Sequence, residues 1–202
     1  GFRFLKQQHQ AGEVDFYLTS IVEDNHVARA VLTSGKAGLP TYKDFGRFHT
    51  LSIRPQKTTA RNRPADLQIR RAQPADVGRM AGFLNCYGRQ RQFFPAYEAR
   101  HFDKDNGLLK KLRLSDLYLA TRSGRLVGIL GLWDQKSFKQ CRIVDYSRGL
   151  KTMRPLINTA ARIGRRPELP RPGSRLNYLT MALVCIEKDD CRIFETLFAR
   201  AL

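Results

Sequence analysis

Glu23, Asp24 and Asn25 stand between a β-rich, largely apolar stretch of seven residues (16–22, FYLTSIV) and a helical pattern that begins immediately after them. Two kinds of chemistry are open to such a triplet. A carboxylate at a strand end can take a proton from a reacting amine. An Asp or Asn ahead of a helix can instead accept a hydrogen bond from an early backbone N–H and cap it. Exposed carboxylates are mostly just solvated, which weighs against Glu23 and Asp24 as bases. Asn25 stays open to both capping and ligand contact.

Other reactive residues are scattered. Cys86, Cys141, Cys185 and Cys191 form no CxxC pair and no zinc spacing. His9, His26, His49 and His101 form no HxxxH or HExxH, so no metal site is expected. Reduced cysteines and a cytoplasmic location are expected. Asp189 and Asp190 precede an amphipathic run and read as a helix cap and first-turn acids. Residues 148–175 hold eight basic side chains (Arg148, Lys151, Arg154, Arg162, Arg165, Arg166, Arg171, Arg175) against one acid, Glu168. That block is the candidate surface for a polyanion, or else a solvated loop.

Elements of regular structure must position these groups. The chain has 202 residues, 42% of them hydrophobic, and a net charge of +18 from 36 basic and 18 acidic residues. A packed core is affordable, and the charge favours anionic partners. No apolar run approaches the roughly 20 residues of a membrane helix, so no membrane partner is expected. There is no signal-peptide pattern and no starting Met, which fits a piece of a longer protein.

The pattern predicts a helix end over 1–10, a strand over 16–22, a helix from Val27 to Leu32 and a strand over 45–53. Residues 54–64 (RPQKTTARNRP) read as a linker. A second set follows. It begins with a strand at LQIRRA and a helix opened by Pro74 with Val77, Met80, Ala81 and Leu84 on its apolar face. Residues 93–102 are expected to be irregularly helical. A β-hairpin spans LYLAT and LVGILGLW around a Ser-Gly turn, and Gly128 and Gly131 in its second strand mark a bend or close backbone approach. Residues 140–146 are expected to extend the sheet, 150–163 to be helical, 176–186 to be a strand and 193–202 a helix. The fold class is α/β (α+β), a mixed, largely antiparallel sheet flanked by helices, in two partial units.

The stretches LQIRRAQPADVGRMAGFLN (67–85), LYLATRSGRLVGILGL (117–132) and Asn25-His26-Val27-Ala28 together resemble the GNAT superfamily of acyl-CoA-dependent N-acyltransferases. The first resembles the family's IRxAxPxD opening, the second its central hairpin, the third its NxxA. The resemblance implies a tandem arrangement: 1–54 as the closing half of one GNAT-like domain, 55–64 as a linker, and 65–202 as the opening part of another. It implies acetyl-CoA or another acyl-CoA as cosubstrate and a small-molecule or peptide amine as acceptor. It places Asn25 beside the cofactor arm and makes Met181, Ala182, Leu183 and Val184 the strand edge along which that arm lies. The active cofactor site is expected in the leading unit.

Two departures from the family pattern stand out. EKDDCRIF (187–194) has no glycine where the family carries a glycine-rich phosphate loop, and Glu187, Asp189 and Asp190 would face the phosphates. Leu32 occupies the place of the family's frequent tyrosine, so no catalytic acid or base is assigned. The competing readings are a non-catalytic GNAT-like module that binds a polyanion and a structural or dimerisation domain.

Overall fold

The structure, a computed structural model, describes residues 2–12, 16–35, 42–53, 64–103 and 108–202. It divides into two compact units, Gly1–Arg54 and Pro55–Leu202. Most of the expected linker, 55–63, lies outside the described residues.

The first unit contains α1 (Phe2–Ala11) and α2 (His26–Thr33). The strands expected at 16–22 and 45–53 are not formed: both segments lack regular structure, and nearly all their side chains are exposed. The reason is physical. A strand is held by the backbone groups of a neighbour and by burial of at least one face, and among the described residues neither segment has a strand neighbour. What order exists is local. Asp44 pairs with Arg29 at 3.0 Å and Glu23 with Arg47 at 3.2 Å, all four side chains being largely exposed, and such pairs contribute about 0–1 kcal/mol.

The second unit is built around a sheet of four antiparallel strands. In chain order its elements are β1 (Leu67–Arg71), α3 (Val77–Gly88), β2 (Leu117–Arg122), β3 (Arg125–Trp133), α4 (Arg148–Ile163), β4 (Thr180–Ile186) and α5 (Cys191–Ala201). The strand order is β1-β2-β3-β4. Both faces are covered. Strand residues alternate between them: Leu117 and Leu119 pack with Met80, Phe83 and Leu84 of α3, while Tyr118 and Ala120 pack with Ile193 and Leu197 of α5. In β3 this alternation shifts phase at Val127–Gly128, where the pairing with β2 skips a residue. Gly128 is required there, since a Cβ would meet side-chain atoms of Leu197, Ile186 and Ile193 at 2.9–3.0 Å.

Three expectations are corrected. Residues 140–146 add no strand; they contribute one isolated bridge, Arg142 to Arg175. The last strand starts at Thr180 rather than 176. Residues 93–102 contain only one 3-10 turn, Ala99–Phe102. The aromatics there pack onto α3 instead of winding into a helix. Asn85 of α3 holds both backbone groups of Tyr97, donating to its carbonyl at 2.8 Å and accepting from its N–H at 2.7 Å.

The entry to α3 depends on a buried carboxylate. Asp76 accepts two bonds from the Arg70 guanidinium, both at 2.6 Å, and one from the Gln73 N–H at 2.9 Å. Those hydrogen bonds, Arg70's foremost, hold its carboxyl below the usual carboxylate range. A carboxylate depressed by folding stabilises fully above its unfolded pKa and progressively less as pH falls through the folded value. Asp76→Ala is therefore expected to lower urea stability by about 1–3 kcal/mol at neutral pH. Its deficit relative to the wild type should shrink below about pH 4, near the unfolded carboxyl pKa. A pH-independent deficit would contradict this account.

Candidate functional site

The β4 strand lies at the end of the sheet, with β3 on one side and no strand on the other among the described residues. Its pairing with β3 is interrupted. Ile129 faces Cys185 and Gly131 faces Ala182, so one residue of β3 spans two of β4, Leu183 and Val184. That is a β-bulge. Leu183 adopts φ +53, the left-handed region. Ala182 and Leu183 consequently both pack on the α3 side of the sheet, and β4 bends where a regular strand would run straight.

The bulge redirects a carbonyl. Val184 O accepts from Arg91 Nη1 at 2.7 Å. The other Arg91 nitrogen donates to Asp189, in the turn after β4. A second arginine closes the same corner: Arg125 donates to both Glu187 oxygens, at 2.7 and 3.0 Å, and Tyr87 donates to Glu187 at 2.7 Å. The Glu187 side chain is only 12% exposed. Its carboxyl is held low, first by the Arg125 hydrogen bond and then by that from Tyr87. The Tyr87 hydroxyl is pushed up by its bond to Glu187 and by burial. Asp190 accepts from the Arg192 N–H at 2.9 Å and caps α5. Under the bulge, burial raises the Cys185 thiol to about 11, so it is protonated at neutral pH and unsuited to nucleophilic work.

Met181, Ala182, Leu183 and Val184 thus form the open, bulged edge of β4. A free strand edge offers backbone donors and acceptors to an extended, amide-bearing ligand. Phosphate recognition would need unpaired N–H groups or cations at the start of the next helix. Here the loop supplies three carboxylates, two engaged by arginines and one by the helix backbone. Arg91, Arg125 and Tyr87 were not identified in the sequence as members of this corner.

Asn25, in the first unit, caps α2: its Oδ1 accepts from the Ala28 N–H at 3.0 Å. It is exposed, as are Glu23 and Asp24, and Leu32 is half-buried on the same helix. A separate depression of about 230 Å³ at the opposite end of the sheet is lined by Arg71, Asp116, Tyr118 and Asp134, among others. Its charges are already met. Arg71 lies over the Tyr118 ring at 5.4 Å, Asp134 pairs with Lys136 at 3.3 Å, and Asp116 accepts from the Arg113 N–H at 3.1 Å. Among the described residues, no three His, Cys, Asp or Glu side chains come together as a metal site would require. No family model matches the chain, and neither curated proteins nor solved structures give a significant match.

Lys188 sits in this corner at φ +54 and is exposed. A left-handed non-glycine residue costs about 1–2 kcal/mol, part of which glycine gives back in unfolded-chain entropy. Lys188→Gly is expected to raise stability by up to about 1 kcal/mol in denaturant titration. A loss of stability would show that the lysine side chain itself holds the turn.

Proposed function

We propose that the chain is part of an acyl-CoA-dependent N-acyltransferase of the GNAT type, moving an acetyl or other acyl group to an amine acceptor. The observation that carries this reading is the bulged, open edge of β4 leading directly into α5. The bulge takes the Leu183 and Val184 backbone out of the regular ladder with β3. A thioester arm lying along Met181–Val184 would find amide partners there other than the Val184 carbonyl, which Arg91 already holds. A backbone N–H near its carbonyl would stabilise the developing oxyanion. The sequence stretches that resemble the family fall on β1 with α3 and on the β2–β3 hairpin.

The corner after β4 weakens this site's hold on a pyrophosphate. Asp189 is a negative charge at the phosphate end, and it engages the Arg91 guanidinium that an anion would otherwise use. The first unit adds only Asn25, whose side chain caps α2, and the strand that would carry a cofactor arm beside it is not formed among the described residues.

Isothermal titration with acetyl-CoA tests the reading. Saturable binding is expected, and Asp189→Asn should tighten it by roughly tenfold, the worth of about 1.4 kcal/mol from one removed charge. No acetyl-CoA binding by either protein would sink the acyltransferase reading.

A non-catalytic, polyanion-binding module is the second reading. It is favoured by Arg148, Arg165, Arg166, Arg171 and Arg175, for which no ion pair with a described acid is found. It requires binding that weakens steeply as salt rises; affinity for a polyanion column that is indifferent to salt would count against it.

A further inference from the structure

Helix α4 is held mainly by its own return loop. Asn158 donates to the Leu169 carbonyl at 3.2 Å and accepts from the Leu169 N–H at 2.8 Å. Arg154 donates to the same carbonyl at 3.2 Å, and Arg162 pairs with Glu168 at 2.8 Å. No other helix or strand packs extensively against it among the described elements. The loop-facing side buries Asn158 and Ala161. Another side is apolar and uncovered: Met153, Leu156 and Ile163 are 50%, 65% and 81% exposed. Their spacing puts them in one stripe along the helix. Arg148 stands at one end of that stripe, and Arg165 and Arg166 stand at the other.

We propose that this face of α4 docks on an anionic lipid surface. The case rests on two features that must be satisfied together, an aliphatic stripe and, at both its ends, arginines with no ion pair to a described acid. Acidic headgroups can take the arginines while the aliphatic side chains reach the acyl boundary, as in interfacial amphipathic helices. The long arginine side chains can keep their heads at headgroup level. A nucleic acid would answer the arginines and leave three aliphatics in water, and the stripe has no aromatic ring on which a base could stack. A second copy would cover the aliphatics but would bring two +18 chains and these arginines together. No described helix is long and apolar enough to cross a membrane; lying on its surface needs no such helix. The stripe is short, so neither apolar contact nor charge suffices alone. The proposal is independent of the acyltransferase reading.

Vesicle flotation of the whole chain tests it. The protein is expected to float with phosphatidylcholine–phosphatidylserine vesicles and not with phosphatidylcholine alone. Leu156→Gln with Ile163→Gln should weaken binding by at least about tenfold, with an unchanged far-UV circular dichroism spectrum. Leu156→Met with Ile163→Leu should keep it. Failure to bind the acidic vesicles would overturn the proposal. So would equal binding by the Gln double variant, which would reduce the attraction to net charge. A solution dimer that the Gln variant dissociates would assign the stripe to a second copy. RNA binding that the same variant abolishes, without vesicle binding, would assign it to nucleic acid. Either result also overturns the lipid proposal.

Discussion

A methyl group on Gly131 would stand 2.7 Å from the Leu117 side chain and 3.2 Å from the Ala182 carbonyl. Strands β3 and β4 can meet there because that methyl is absent. Opposite this gap β4 inserts its extra residue, Leu183, in a left-handed conformation. The displaced Val184 carbonyl then needs a donor, since an unpaired buried carbonyl costs about 1–3 kcal/mol. Arg91 supplies the donor, and Asp189 orients Arg91. The turn that presents Asp189 has two successive left-handed residues, Lys188 at φ +54 and Asp189 at φ +50, before Asp190 starts α5. A packing constraint in the middle of the sheet thus propagates, one hydrogen bond at a time, to the start of the last helix.

The same economy governs the rest of the second unit. Irregular segments are fixed by single side chains that satisfy both backbone groups of one residue. Asn85 does this for Tyr97, and Asn158 does it for Leu169. Each gives a loop the pairing a strand neighbour would otherwise provide. Neither loop then needs regular structure to be ordered. The first unit has no comparable device among its described residues beyond the Asn25 cap. Its two segments of high β-propensity form no strand among the described residues. A piece of about fifty residues buries too small a fraction of its surface to fold firmly by itself.

What could be read in the sequence follows from this contrast. The α3 helix with its Pro74 entry, the β2–β3 hairpin, the two glycines of β3 and α5 rest on patterns confined to a dozen neighbouring residues, and those readings agree with the structure; a cap before α2 was legible too, while only the structure shows that Asn25 rather than Asp24 makes it. The segments 16–22 and 45–53 have strand composition, but composition does not supply a neighbour. Residues 140–146 were misread for the same reason. The corner after β4 was legible only as a loop without glycine. Its decisive contacts join residues 98 apart (Arg91 and Asp189), 100 apart (Tyr87 and Glu187) and 62 apart (Arg125 and Glu187). No periodicity encodes such pairs. The bulge was not visible either, because Leu183 is an ordinary apolar residue in an apolar run and only its φ distinguishes it.

Charge is partitioned in a way the net value of +18 conceals. At the β4 corner two of the three carboxylates meet arginines, Glu187 with Arg125 and Asp189 with Arg91, while Asp190 caps α5. The Glu187 carboxyl is held low first by Arg125 and then by Tyr87, and the Tyr87 hydroxyl is pushed up by its bond to Glu187 and by burial. The corner is therefore a closed, nearly neutral lock rather than a source of positive field. Five arginines without an ion pair to a described acid (Arg148, Arg165, Arg166, Arg171, Arg175) stand instead on α4 and its return loop. The strand edge left unpaired among the described residues and the arginine-rich helix are thus different elements of the unit, one offering backbone groups and the other charge, and neither depends on the other for its place in the fold.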